Sequence, residues 1–212
     1  MPFVLRGYAE QCLGTCRLWE GGRMMAIDNV HRNRGIMRSH NMALDALQDE
    51  QWLIIMSAAL RFGPEGGLDF IDQLVEHDDH GVISCEGTYG WHLVAFRRDV
   101  VEQMGRWDEN FTPYGYDDLD LSVRIHQLMP NLLWGGYPCS VVDMGMAHSI
   151  KLAGVRVAVA NLDYWHRKWG AAPGSLFEDY HTHPFTNISH HTNYWPPIND
   201  AEWNRPVPAW EG

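Results

Sequence analysis

Short apolar runs alternate with segments of helical spacing along the first half of the chain, and this alternation limits the fold more than any other feature. Apolar residues spaced i, i+3, i+4 and i+7 predict helices over residues 8–18, 35–47 and 68–75. Compact apolar runs predict buried strands over residues 23–28 and 52–57. Strands that alternate with crossover helices predict an α/β fold whose mostly parallel sheet is flanked by helices on both faces.

The middle of the chain changes character. Residues 106–115 carry turn formers and aromatic side chains, as active-site loops often do. A strand over residues 90–96 and a short helix over residues 98–105 precede this loop. A further helix follows it and is expected to end before Pro130, because proline cannot continue a helix.

The last segment is rich in aromatic residues and proline. From Tyr164 onward the chain holds 10 of its 25 aromatic residues and 6 of its 11 prolines, with little helical or strand periodicity. We therefore predict a single domain with a core over residues 1–163. An irregular aromatic extension over residues 164–212 is expected to pack on that core.

Charge limits the classes of partner. The 27 acidic residues exceed the 16 basic ones, which gives a formal net charge of −11 and makes nucleic acid or anionic lipid an unfavourable partner. No apolar run approaches the roughly 20 residues that span a bilayer, and no secretory signal is visible, so we expect a cytoplasmic protein. The cysteines form no Cys-x-x-Cys pair and are expected to be structural thiols: Cys12, Cys16, Cys85 and Cys139.

A cluster of carboxylates at the start of a predicted helix is the strongest chemical signal. Asp117, Asp118 and Asp120 follow an aromatic-glycine loop. One interpretation is structural, because a helix N-terminus stabilises negative charge and accepts capping side chains. The other is catalytic: one acid orients a hydroxyl while its neighbour takes the proton, and mutual repulsion raises one pKa.

The same region carries a family resemblance. Residues 105–111 (Gly-Arg-Trp-Asp-Glu-Asn-Phe) and the later Gly-Tyr-Asp-Asp-Leu-Asp-Leu, followed by Arg124, resemble the acceptor-site segment of family 2 glycosyltransferases. Residues 25–29 (Met-Ala-Ile-Asp-Asn) resemble the family's strand that ends in a nucleotide-binding acid, and residues 33–41 its Asn-x-Gly…Asn stretch. The segment Tyr-Trp-His-Arg-Lys-Trp-Gly that begins at Tyr164 is similar to a tail of some bacterial and phage-borne members.

The resemblance implies a GT-A-type, Rossmann-like fold and an inverting transfer of sugar from a nucleotide-sugar to a glycan, glycolipid or protein acceptor. It implies that Asp118 is the general base, that Asp117 binds the acceptor hydroxyl, and that Asp120 orients the loop or caps the helix. The expected donor-binding residues are Asp28, Asn29, Arg34, Asn41, Arg167, Lys168 and Trp169. The expected acceptor-binding residues are Trp91, Tyr116 and Asp117.

The resemblance also implies a divalent ion, Mn²⁺ or Mg²⁺, held by acids after the strand over residues 52–57. The chain has Ser57-Ala58-Ala59 there, and alanine cannot ligate a cation. The enzyme is therefore metal-independent, or holds the metal elsewhere, or is inactive. His148 is a candidate ligand, although a lone histidine is more often structural.

The basic and aromatic segment around Arg167 and Lys168 has two interpretations. Its cations can neutralise the leaving diphosphate while its indoles stack on base or sugar, so that the tail closes as a lid over the donor. Alternatively, the pair lies on the surface between packing tryptophans, in a static wrap. A non-catalytic binder of nucleotide-sugar or glycan remains the competing class of protein. A dinucleotide-dependent oxidoreductase is disfavoured, because no Gly-x-Gly-x-x-Gly follows either early strand.

Overall fold

The computed structural model describes residues 12–18, 20, 22–26, 36–47, 49–58, 60–86, 92–111, 115–143 and 161–169. The chain divides into two compact units. Unit 1 contains Met1–Met25, Leu47–Glu102 and Asn131–Leu152, and unit 2 contains Ala26–Ala46, Gln103–Pro130 and Ala153–Gly212. The expected boundary at residue 163 lies inside unit 2.

The described elements alternate between helices and strands. The helices are α1 (Ile36–Ala46), α2 (Leu68–Glu76), α3 (Arg98–Met104) and α4 (Asp117–Leu128), and residues 12–15 and 161–169 are helical as well. The strands are β1 (Trp52–Met56), β2 (Leu60–Phe62), β3 (Val82–Glu86), β4 (Leu93–Arg97), β5 (Trp134–Pro138) and β6 (Val141–Asp143). An α/β fold is therefore confirmed. None of the helices in these ranges combines the length and apolar character that crossing a bilayer requires.

The main sheet of unit 1 is mixed, whereas a mostly parallel sheet was expected. Its order is β1-β4-β3-β5. Strand β4 runs antiparallel to both neighbours, and only the β3–β5 pair is parallel among these strands. The physical reason is the short connection between β3 and β4, residues 87–92, because a parallel crossover needs roughly a dozen residues or more. Strands β1, β3 and β5 consequently point the same way, and their carboxyl ends share one edge.

The core of unit 1 packs around the central strand β4, whose first four residues, Leu-Val-Ala-Phe, are all buried. A strand buried on both faces is apolar throughout, as here. Helix α2 buries Phe70 and Leu74, whereas Val75 is 73% exposed. The helix predicted over residues 68–75 is therefore confirmed, and Ile71 packs partly buried against the same core. The predicted buried strand over residues 23–28 is also wrong for its described part, because residues 23–26 are exposed and lie outside any strand.

The cysteines fall into two pairs in unit 1. Cys12 and Cys16 are buried free thiols, as predicted. Burial raises the pKa of the Cys12 thiol to about 11, so the reactive thiolate is suppressed at neutral pH. Cys85 and Cys139 are joined by a disulfide, whereas free thiols were expected. The parallel pairing of β3 and β5 places Cys85 opposite Tyr137 and so brings Cys139 close.

The start of the aromatic segment in unit 2 is helical, whereas an irregular extension was expected. The buried side chains of this helix, residues 161–169, recur at i, i+3, i+4, i+7 and i+8: Asn161, Tyr164, Trp165, Lys168 and Trp169. The intervening His166 and Arg167 are exposed. This is the stripe of an amphipathic helix that packs one face. The rest of the predicted extension, residues 170–212, lies outside the described residues.

Gly81, directly before β3, tests the packing of unit 1. A Cβ added there would lie 2.4 Å from Leu132 Cδ1 and 2.6 Å from Val100 Cγ2. We expect Gly81→Ala to lower the free energy of unfolding by about 1–3 kcal/mol through overpacking. Gly14→Ala is the matched control, because nothing lies within 4 Å of its added Cβ. The control should be neutral or slightly stabilising, since alanine favours the helix at residues 12–15. Urea denaturation measures both, and equal stabilities would contradict the packing described.

Candidate functional site

The acid cluster of unit 2 follows an unusual stretch of backbone. Gly115 has φ 96° and Tyr116 has φ 67°, and Tyr116 is the only non-glycine residue with positive φ in the described part of the chain. Helix α4 begins immediately afterwards with Asp117. A left-handed tyrosine costs on the order of 1–3 kcal/mol, and such strain concentrates at functional sites. The loop therefore has a conformation that packing and hydrogen bonds must hold in place.

Asp117 and Asp118 are both partly exposed to solvent. The Gly115 N–H donates to Asp117 Oδ1 at 3.0 Å, and the Leu119 N–H donates to Asp118 Oδ1 at 2.9 Å. Burial and the neighbouring charge of Asp118 raise the pKa of Asp117 to about 6. Asp117 and Asp118 thus lie side by side and partly exposed at the start of α4, where two carboxyls can bind a hydroxyl and accept its proton.

Asp120 differs from these two acids because it is buried and paired with cations. Arg124 Nε donates to Asp120 Oδ2 at 3.0 Å, and Arg124 Nη2 lies 2.8 Å from the same oxygen. The Trp169 indole donates to Asp120 Oδ1 at 3.0 Å. Arg124 Nη1 also donates to the carbonyls of Met104 and Arg106. Asp120 thus ties α4 to the helix over residues 161–169 rather than capping α4.

Lys168 lies between two carboxylates. Its Nζ is 2.7 Å from Asp108 Oδ2 and 2.6 Å from Asp120 Oδ1, and its side chain is 1% exposed. The same nitrogen lies 5.3 Å from the centre of the Phe111 ring and 5.4 Å from that of Trp169. These rings exclude water and so strengthen the attraction between the charges. The structure places Lys168 in the core of unit 2, where its charge is compensated by carboxylates.

Sequence reasoning assigned no role to Asp108, which is buried as well. Tyr164 Oη donates to Asp108 Oδ2 at 2.7 Å, and the backbone and side-chain nitrogens of Asn110 donate to Asp108 Oδ1. Burial raises the pKa of Asp108, but the charge and hydrogen bond of Lys168, together with the other donors, outweigh burial and hold the pKa below its ordinary value. The sequence signal that could have pointed to Asp108 is the Asp-Glu-Asn-Phe segment, which carries part of the resemblance to family 2 glycosyltransferases.

Asn41 of α1 has a bracing role in unit 2. Its Nδ2 donates to the Trp107 carbonyl at 3.0 Å and to Glu109 Oε1 at 2.8 Å, while the Trp107 N–H donates to Asn41 Oδ1 at 2.9 Å. Arg106 reinforces the same junction with two hydrogen bonds to Asp45. Asn41 is 2% exposed, so these contacts account for its conformation without a donor nucleotide.

The other predicted site residues fall into two groups. Arg167 is exposed, pairs with Asp163 at 3.2 Å and lies 6.0 Å from the centre of the Tyr164 ring. The Tyr116 ring packs 5.9 Å from that of the fully buried Trp165. The remaining predicted residues lie outside the described part of the chain: Asp28, Asn29, Arg34, Trp91 and His148.

The residues after β1 do not fit the divalent ion that the resemblance implies. Ser57 and Ala58 follow β1, and the Ser57 N–H donates to the His92 carbonyl at 2.7 Å. The next residue in the sequence is a second alanine. Mn²⁺ and Mg²⁺ need several oxygen ligands, and no carboxylate is present in this Ser-Ala-Ala stretch.

Comparison with known proteins gives no relative: the chain matches no family model, no curated protein and no solved structure.

Lys168 and its neighbour Arg167 allow a direct test of the buried ion pairs. Lys168→Met leaves two buried carboxylates without their shared cation, and we expect it to lower the free energy of unfolding by about 3–5 kcal/mol. Arg167→Met removes an exposed charge of the same helix and should change stability by less than about 1 kcal/mol. Urea denaturation of both variants measures the difference. Equal effects would contradict the buried position of Lys168.

The raised pKa of Asp117 predicts a stability change that depends on pH. Because the folded state disfavours the ionised carboxyl, the contribution of Asp117 is present at low pH and is lost as the pH rises from 3.8 to about 6. Asp117→Asn should therefore be more stable than wild type by about 3 kcal/mol near pH 8 and nearly equal to it near pH 4. Asp72→Asn, on the exposed face of α2, is the control and should show no such trend. Thermal melts across this pH range decide the matter.

Proposed function

We propose that the chain is a glycosyltransferase that moves a sugar from a nucleotide-sugar donor to a hydroxyl acceptor with inversion. In this proposal Asp118 takes the proton of the acceptor hydroxyl as its oxygen attacks the anomeric carbon. The bond from that carbon to the leaving diphosphate breaks on the opposite face. Asp117 accepts a hydrogen bond from the acceptor and orients it.

The observation that carries the proposal is the position of two adjacent, partly exposed carboxyls directly after a strained loop. Asp120 and Asp108 are buried and paired with Lys168, so they serve packing. Asp117 and Asp118 follow the strained loop instead, and the pKa of Asp117 is raised to about 6 by burial and by the charge of Asp118. A carboxyl whose pKa lies near the pH at which an enzyme works is suited to general acid–base chemistry.

We assign no metal ion to the end of β1, because Ser57 and Ala58 there offer no carboxylate. We assign Lys168 no contact with the nucleotide-sugar, because two carboxylates already surround its ammonium group.

A comparison of two conservative variants tests the assignment. Asp118→Asn keeps the shape of the side chain but cannot accept a proton, so we expect kcat to fall by about 10²–10⁴-fold with unchanged donor affinity. Asp117→Asn should mainly raise KM for the acceptor, and should abolish a rise in kcat/KM with pH near 6. Release of nucleoside diphosphate from a panel of nucleotide-sugars, with sugar acceptors present, is the measurement.

The control variant is Asp163→Asn, because Asp163 is exposed and lies in the same unit. It should keep wild-type turnover. If Asp118→Asn turns over nearly as fast as wild type, the assignment of Asp118 as the general base is contradicted. The second candidate is a non-catalytic binder of nucleotide-sugar or glycan, because the Ser57-Ala58-Ala59 stretch has no carboxylate. Thermal stabilisation by nucleotide-sugars without formation of any product would favour this class.

A further inference from the structure

We propose that His77, Asp79 and His80 of unit 1 form a binding site for Zn²⁺ or a similar borderline divalent ion. The three residues lie in the short connection between α2 and β3. One ligand atom from each lies within 4.8 Å of the others. His80 Nδ1 and Asp79 Oδ1 are 2.8 Å apart, so they need to separate by less than about 1 Å to reach the roughly 3.3–3.6 Å between two ligands of a tetrahedral ion at bond lengths of about 2.0–2.2 Å.

Tyr137 of β5 fixes both imidazoles. Its ring stacks on His77 with centres 4.0 Å apart and planes 15° from parallel. Its hydroxyl lies 2.9 Å from His80 Nε2. If Nε2–H donates to this hydroxyl, His80 Nδ1 keeps its lone pair and faces Asp79. Histidines that ligate metals commonly have their other nitrogen held by a hydrogen bond of this kind.

Arg97 holds the backbone of the same connection. Its Nη1 donates to the carbonyls of Asp78, Asp79 and His80 at 3.0–3.2 Å. The positive charge of Arg97 is offset by two hydrogen bonds to Asp99. The three ligands therefore stand on a backbone whose conformation is set before any ion binds, which lowers the cost of ordering them.

The ligand chemistry selects the class of metal. Two imidazoles and one carboxylate suit Zn²⁺, Co²⁺ or Ni²⁺, whereas Mg²⁺ and Ca²⁺ prefer oxygen ligands alone. Side-chain exposure is 17% for His80 and 64% for Asp79, so an ion can enter from solvent. Three protein ligands leave a tetrahedral ion one position for water or an external donor atom.

This site is separate from the end of β1, where the resemblance implies a metal ion. His80 lies before the first residue of β3, and β4 ends beside it at Arg97. Ser57 follows the last residue of β1, where β4 begins. The two places are therefore at opposite ends of the same sheet, and the metal proposal stands whether or not the chain transfers sugar.

Titration of the full chain with Zn²⁺ by calorimetry, and with Co²⁺ by visible absorption, tests the proposal. Variants His77→Gln, His80→Gln and Asp79→Asn should each weaken the site at least about tenfold and remove its Co²⁺ bands. His166→Gln is the matched control, because His166 is an exposed histidine of unit 2. It should bind both ions as wild type does.

The chain has 12 histidines, so the difference between wild type and variant is the quantity to measure. Loss of one binding event in the three ligand variants, but not in the control, supports the site. Unchanged stoichiometry and affinity in all four variants would overturn it. Asp79→Asn keeps the test valid if a histidine variant unfolds, because Asp79 is exposed and asparagine keeps the shape of its side chain.

Discussion

The buried chain of charges Asp108–Lys168–Asp120–Arg124 is the interaction on which unit 2 depends. Two carboxylates and two cations balance one another, and each side chain is at most 2% exposed. Buried charges are tolerated only when they are paired and hydrogen-bonded. The four residues join the segment after α3, helix α4 and the helix over residues 161–169. A defect in any one of them leaves an uncompensated charge in the interior.

This network explains how the strained start of α4 is held. Arg124 donates to the carbonyls of Met104 and Arg106, and Asn161 Nδ2 donates to the Gly115 carbonyl at 3.3 Å. The left-handed Tyr116 packs against Trp165 of the same helix. Contacts with residues far away in the sequence therefore offset the local cost of the loop, and they hold the acids that follow the loop at a fixed position.

The sequence pattern correctly predicted features that depend on residues close together in the chain. The end of α4 at Leu128 agrees with the helix expected to stop before Pro130, and the burial of Cys12 and Cys16 agrees with their spacing. The direction of β4 was not predicted correctly, because it depends on which strands it pairs with. The helix over residues 161–169 was not predicted, because the aromatic and proline-rich composition of the segment indicated an irregular extension. The buried stripe of this helix begins at Asn161, just before the predicted end of the core at residue 163.

The candidate site shows why residue type alone cannot assign a cation its role. A lysine between aromatic rings suits a phosphate ligand, and the same surroundings strengthen an internal ion pair by excluding water. The deciding fact is where the carboxylates lie. Asp108 and Asp120 are 60 and 48 positions before Lys168 in the sequence, so only the folded chain reveals the pairing. Of the three acids at the start of α4, Asp120 is enclosed by its cations, whereas Asp117 and Asp118 keep access to solvent.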